Sequence, residues 1–68
     1  MNEEAFNLGI RKFLKMVGVN SQREIEHAVA RAIADGRIDG TGSLATSVTL
    51  KIPALGLEAK FDGKIDLE

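Results

Sequence analysis

His27 is the single histidine in a chain of 68 residues that contains no cysteine. A metal site needs several convergent ligands, and a general base needs a partner to orient it. With neither in view, His27 reads as a solvated histidine. Arg23 and Arg31 stand four residues before and after it. On a helix these three would form a basic stripe for an acidic partner or an anion, blunted by the neighbouring Glu24, Glu26 and Asp35. The second stretch with chemical potential is Gly40-Thr41-Gly42-Ser43. A phosphate cradle needs that pattern closed by Lys and Ser/Thr, between a strand and a following helix. Here the glycines follow a helical pattern and precede a strand pattern, so they read as a linker. No nucleophile–base pair and no ligand set is present. The residues therefore point to no enzyme, with no catalytic residue, no cofactor and no metal.

What positions these residues is a change of hydrophobic period. Up to about Ala34 the apolar side chains recur every three to four positions, and from about Thr46 every second position. A period near 3.6 builds one-sided helices and a period of two builds one-sided strands. The first helix is expected over about 3–17, capped by Asn2, with Glu3 and Glu4 favourably placed against its dipole. Phe6, Ile10, Phe13, Leu14 and Val17 form its stripe, Gly9 lies beside that stripe, and Gly18 supplies a left-handed stop. Ser21-Gln22-Arg23-Glu24 is a capping box that opens a second helix over about 21–35, with Ile25, Val29 and Ile33 inward.

A linker over about 36–45 follows, with Ile38 as an anchor that could reach the core or add to the sheet. Strands are expected at about 46–52, 57–61 and 64–67. The first hairpin can be read to its register. Ile52 pairs with Leu57 across Pro53-Ala54-Leu55-Gly56, Leu50 with Ala59, Val48 with Phe61, and Lys51 with Glu58. A second turn is expected around Asp62-Gly63, in a loop of odd length. The expected fold is thus α+β, a single domain of two helices on one face of a three-stranded antiparallel meander (α-α-β-β-β). In it Phe6, Ile10, Phe13, Val17, Ile25, Val29 and Ile33 pack onto Val48, Leu50, Ile52, Leu57, Ala59 and Ile65.

Size bounds the stability of such a domain. Near the lower limit of what folds alone, with three aromatics and no disulfide or zinc, the chain needs either efficient helix–sheet packing or association with itself or with a partner. Net charge is −1 with 9 Lys+Arg against 10 Asp+Glu, which gives no polybasic footprint for nucleic acid or anionic lipid. The acidic start, Met1-Asn2-Glu3-Glu4, with no long apolar run after it, argues against a secretory signal or a membrane span. Together with the missing cysteine it sets the expectation of a cytoplasmic protein.

Two readings from different classes remain. Leu8 falls on the polar side of the first helix, between Glu4, Arg11 and Lys15, and Leu55 sits in the hairpin loop. Together with Arg23, His27 and Arg31 they mark a candidate partner surface on a small non-enzymatic interaction or regulatory module. Alternatively, helix, Gly18 turn and helix resemble a helix-turn-helix with the hairpin as a wing, which would put Asn20, Gln22 and Arg23 at the start of a recognition helix. The capping box accounts for the same residues without DNA, so this reading ranks second.

Several segments resemble a family of short bacterial proteins known only as a domain of unknown function. They are Met1-Asn2-Glu3-Glu4-Ala5-Phe6-Asn7, Ile10-Arg11-Lys12-Phe13-Leu14-Lys15, and Gly18-Val19 with Ser21-Gln22-Arg23-Glu24-Ile25-Glu26. Val48-Thr49-Leu50, Leu55-Gly56-Leu57 and Asp62-Gly63 continue it near the C-terminus. The resemblance spans nearly the whole chain and implies a freestanding small protein. It carries over no functional residues.

The charge balance yields a first prediction. At about 50 mM salt, where counterion release most favours binding, random duplex DNA is expected to bind no tighter than roughly 10⁻⁴ M. Low-micromolar binding in a fluorescence anisotropy titration, weakened by Arg23→Ala, would reverse the ranking of the two readings.

Overall fold

In the computed structural model, which describes residues 1–68, the backbone forms one helix and one hairpin. The helix is α1 (Glu3–Ala34), and strands β1 (Ser43–Ile52) and β2 (Leu57–Asp66) are joined by a 3-10 turn at Pro53–Leu55. The chain is α+β, but the expected α-α-β-β-β meander is corrected on two counts: there is no break at Gly18 and no third strand. Two units result, Met1–Arg37 and Ile38–Glu68.

Both ends of α1 are set by local chemistry. Asn2 is extended, and its side-chain oxygen accepts from the Ala5 amide at 3.0 Å, which satisfies one of the orphan amides of the first turn. At the other end the Gly36 amide donates to the Ile33 carbonyl at 3.1 Å and the Arg37 amide to the Ala32 carbonyl at 2.9 Å. Gly36 takes φ 75°, a left-handed conformation that costs glycine nothing. This is a Schellman stop, and it lies where the sequence pattern ended the second expected helix.

Gly18, by contrast, has no left-handed backbone and lies inside α1. A glycine within a helix costs about 1 kcal/mol against Ala. A break there would expose up to about four carbonyls and four amides, of which the Ser21–Glu24 box could satisfy two. Continuation is the cheaper option. The side chains agree with it, because the stripe passes the glycine in phase: Val17, Ser21, Ile25 and Val29, four residues apart, are all half-buried. Asn20 turns its amide back onto the Met16 carbonyl at 2.9 Å. The helix-turn-helix geometry is therefore absent, and Asn20, Gln22 and Arg23 do not stand at a helix start.

The hairpin keeps the expected register and extends it. Ile52 faces Leu57, Lys51 faces Glu58, Leu50 faces Ala59 and Val48 faces Phe61, and pairing continues to Ser43 opposite Asp66. Pro53 opens the turn and Gly56, at φ 62°, closes it. The second turn expected at Asp62-Gly63 does not form. Gly63 pairs with Thr46, and the strand runs straight through it. The alternation Leu57, Ala59, Phe61, Gly63, Ile65 never changes phase, so one long strand keeps every apolar side chain on one face. The former linker thus supplies the start of β1. Ile38 stays outside the sheet, half-buried, and the Leu67 amide closes the open end onto the Gly42 carbonyl at 2.8 Å.

Neither α1 nor the hairpin buries a residue by itself. Phe6, Phe13 and Ile33 on α1 are 53%, 47% and 46% exposed, and Phe61 on β2 is 61% exposed.

Two glycines give opposite expectations. Gly18→Ala is expected to raise the thermal stability of the helix by up to about 1 kcal/mol, because the position is helical and a Cβ there meets nothing within 4 Å. Gly56→Ala is expected to lower hairpin stability by about 1–2 kcal/mol, the cost of a left-handed residue with a side chain. Circular dichroism melts of both variants check this, and destabilisation by Gly18→Ala would restore the broken helix.

Candidate interaction surface

Helix geometry advances about 100° per residue, so Phe6, Ile10, Phe13, Leu14, Val17, Ser21, Ile25, Ala28 and Ala32 fall within roughly a third of the circumference of α1. The stripe is uneven along its length. Its far half is half-buried at Val17, Ser21, Ile25 and Ala32 and exposed at Ala28. Its N-terminal half holds both aromatics of the helix and is open: Ile10 is 40% and Leu14 55% exposed. Full burial of one large apolar side chain is worth about 1.5–3 kcal/mol, and around half of that is unrealised at each of these positions.

The hairpin has two unlike faces, because side chains alternate along each strand. One carries Leu44, Thr46, Val48, Leu50 and Ile52 against Ile65, Gly63, Phe61, Ala59 and Leu57. The missing side chain at Gly63 leaves an open hollow of about 260 Å³, bordered by Val48, Phe61 and Ile65. The other face is polar. Lys51 and Glu58 pair across the strands at 3.4 Å, Lys60 reaches Asp62 at 3.6 Å, and Lys64 stands 3.9 Å from Asp66. All six are mostly exposed, so these pairs contribute little to stability. They keep that face wet.

The residues singled out from the sequence are placed as follows. Arg23, His27 and Arg31 lie four residues apart on α1, all exposed, and the side chain of none makes a hydrogen bond or ion pair within the chain. Leu8 is 60% exposed on the same helix, and Leu55, at the hairpin turn, is 72% exposed. The helix thus brings the three basic side chains into one row, with Leu8 on the same element. Leu55 belongs to the other unit.

One polar cluster was not anticipated. The Asp39 carboxylate accepts from the Thr41 hydroxyl at 2.6 Å and from the Thr41 amide at 3.0 Å. The signal was legible as Asp-Gly-Thr, since an Asp side chain commonly bonds the backbone two residues on. Hydrogen bonds from the Thr41 side chain and then the Thr41 amide hold the Asp39 carboxyl below its ordinary range, against a small opposing effect of desolvation. The cluster orders the entry to β1. No three His, Cys, Asp or Glu side chains stand where they could hold a metal ion, and no helix is long and apolar enough to cross a membrane.

A 32-residue helix capped at both ends and a hairpin with one apolar face make a small α+β chain in which neither element, taken alone, buries a residue. The chain belongs to a family of unknown function, DUF6494, whose family model matches residues 1–68. No curated protein and no solved structure matches it.

The Asp39 contact has a direct check. Thr41→Val removes the hydroxyl that is the main cause of the lowered pKa and is expected to move the Asp39 titration upward in a carboxyl-detected NMR experiment. A depressed carboxylate adds stability above its ordinary pKa and loses it as pH falls through the folded value. Order at residues 39–41 is therefore expected to persist at neutral pH and to fade on acidification.

Proposed function

We propose that this chain is a small non-enzymatic interaction module, a regulator or accessory protein of the bacterial cytoplasm, that acts by covering its apolar faces against a protein partner. The observation that carries the reading is the combination of a one-sided helix and a one-sided hairpin with no buried residue in either. An isolated two-stranded hairpin is marginal in water, and most helical stability in proteins comes from packing the apolar face. Both elements gain from a partner. The missing cysteine suits a reducing compartment, and the bacterial source follows the resemblance of the sequence. Leu8 and the Arg23–His27–Arg31 row on α1, and Leu55 on the hairpin turn, are exposed side chains that add selectivity to such contacts.

The experiment is recovery of the tagged chain from its host after in-cell cross-linking, in the native sequence and as Phe13→Asp. Recovery of a protein, foreign or a second copy, at fixed stoichiometry and its loss in Phe13→Asp support the reading. A chain that emerges alone overturns it. Nuclease-sensitive nucleic acid that disappears with Arg23→Ala favours the alternative of a nucleic-acid-binding protein.

A further inference from the structure

We infer that the partner is a second copy of this chain, joined edge to edge through β1 into one four-stranded sheet, an inference that rests on the interaction-module reading. The phase of the ladder fixes which main-chain groups are free. The Leu67 amide donates to the Gly42 carbonyl, so the bonded rungs recur at every second residue, at Leu44, Thr46, Val48, Leu50 and Ile52. The amides and carbonyls of Ser43, Ala45, Ser47, Thr49 and Lys51 therefore point away from β2. No hydrogen bond within the chain reaches them, and the sheet has no third strand. An unpaired row of this kind is a template for another strand.

The two edges of the ribbon are not alike. On β2 the outward groups belong to Glu58, Lys60, Asp62, Lys64 and Asp66. A charge at every such position is how natural sheets guard an edge. On β1 the outward residues before Lys51 are Ser, Ala or Thr. Lys51 itself is engaged by Glu58 of the same chain at 3.4 Å, so its charge is partly neutralised where a strand would add.

Charge complementarity selects a second copy and its register. Two antiparallel β1 strands centred on Ser47 overlap from Ser43 to Lys51 and set Ser43 of each copy opposite Lys51 of the other. Ser43 already faces Asp66 across its own hairpin. One row of the joined sheet then runs Asp66, Ser43, Lys51, Glu58, with the last two from the second copy. Opposite residues share a face and stand about 4.5–5.5 Å apart. Lys51 thus lies between two carboxylates, with only the short Ser43 side chain between it and Asp66. The remaining rungs pair Ala45 with Thr49 and Ser47 with itself, so no like charges face each other. The contact is isologous and closes as a twofold dimer. It also merges two apolar faces into one four-stranded face, whereas a lone two-stranded ribbon is marginal in water.

Sedimentation equilibrium of the whole chain from about 1 to 100 μM tests the inference. The native sequence is expected to reach the mass of a dimer. Proline is tolerated in an edge strand where the lost N–H faced solvent. Ser47→Pro is therefore expected to keep the hairpin and to weaken association at least tenfold. Asp62→Pro, the matching change on β2, is expected to leave association unchanged. With no native cysteine, spin labels at Ser43→Cys and Ser47→Cys report the register. Antiparallel pairing centred on Ser47 is expected to give a short distance at position 47 and about 27 Å at position 43, which lies four residues from the centre in each copy. A long distance at position 47, or a short one at position 43, overturns the proposal. So does a dimer that Ser47→Pro leaves intact. If both proline variants lose association alike, the two distances decide. A native chain that stays monomeric throughout also overturns the proposal. In that case a foreign protein at fixed stoichiometry in the host cross-linking experiment leaves the interaction-module reading standing, and its absence removes both.

Discussion

Backbone polar groups can be satisfied within one element, whereas apolar side chains cannot. That asymmetry governs this chain. The amides and carbonyls of α1 are paired along the helix and capped by Asn2 and Gly36 at its ends. Those of the hairpin pair across the strands at alternate rungs of ten, and the outward-facing groups of both edges are left to water. Each element thus satisfies its main chain internally or with solvent. Neither encloses its apolar surface, because one helix has a single stripe and a two-stranded ribbon a single apolar face, with nothing in either unit to close over them. Main-chain groups find partners or water within each element, whereas the apolar faces do not find cover, and the interaction reading rests on that difference.

Much of this was legible in the residues, and the misreadings share one cause. Asn2, Gly36 and the Pro53–Gly56 turn act through neighbours a few residues away, so their signals are local and were read correctly. The register from Ser47 to Phe61 followed from alternation, because a slip of one residue inverts a face. Gly18 and Asp62-Gly63 were read as punctuation because each carries turn chemistry. In both places the long-period pattern ran on without a change of phase, and continuity of pairing outweighed the local preference. A glycine is evidence for a turn only where the flanking periods disagree. The half-exposure of Phe6 and Phe13 was not legible, since periodicity identifies which face is apolar without identifying what covers it.

The candidate surface shows the same division. Leu8 was expected on a first helix and the Arg23–His27–Arg31 row on a second; the unbroken α1 carries all four. Leu55 was placed in the hairpin turn and lies there. The Asp39–Thr41 contact was missed because the segment was read only for its glycines. Asp39 binds the backbone of its own loop, so it explains why the path into β1 is ordered and adds no reactive group.

The short span of the hairpin turn carries a kinetic consequence. Ile52 and Leu57 are five positions apart in sequence and form the closing rung, so each later pair zips from one already made. Hairpins of this kind form in about 1–10 μs, and helices relax in about 0.1–1 μs. At micromolar concentration and an ordinary association rate of about 10⁶ M⁻¹s⁻¹, two proteins meet about once per second. Helix and ribbon therefore form and dissolve many thousands of times between encounters. On the proposed reading, a partner would meet an equilibrated population of ready-made faces, and the rate of complex formation would be set by diffusion and by the fraction folded, not by the folding of this chain.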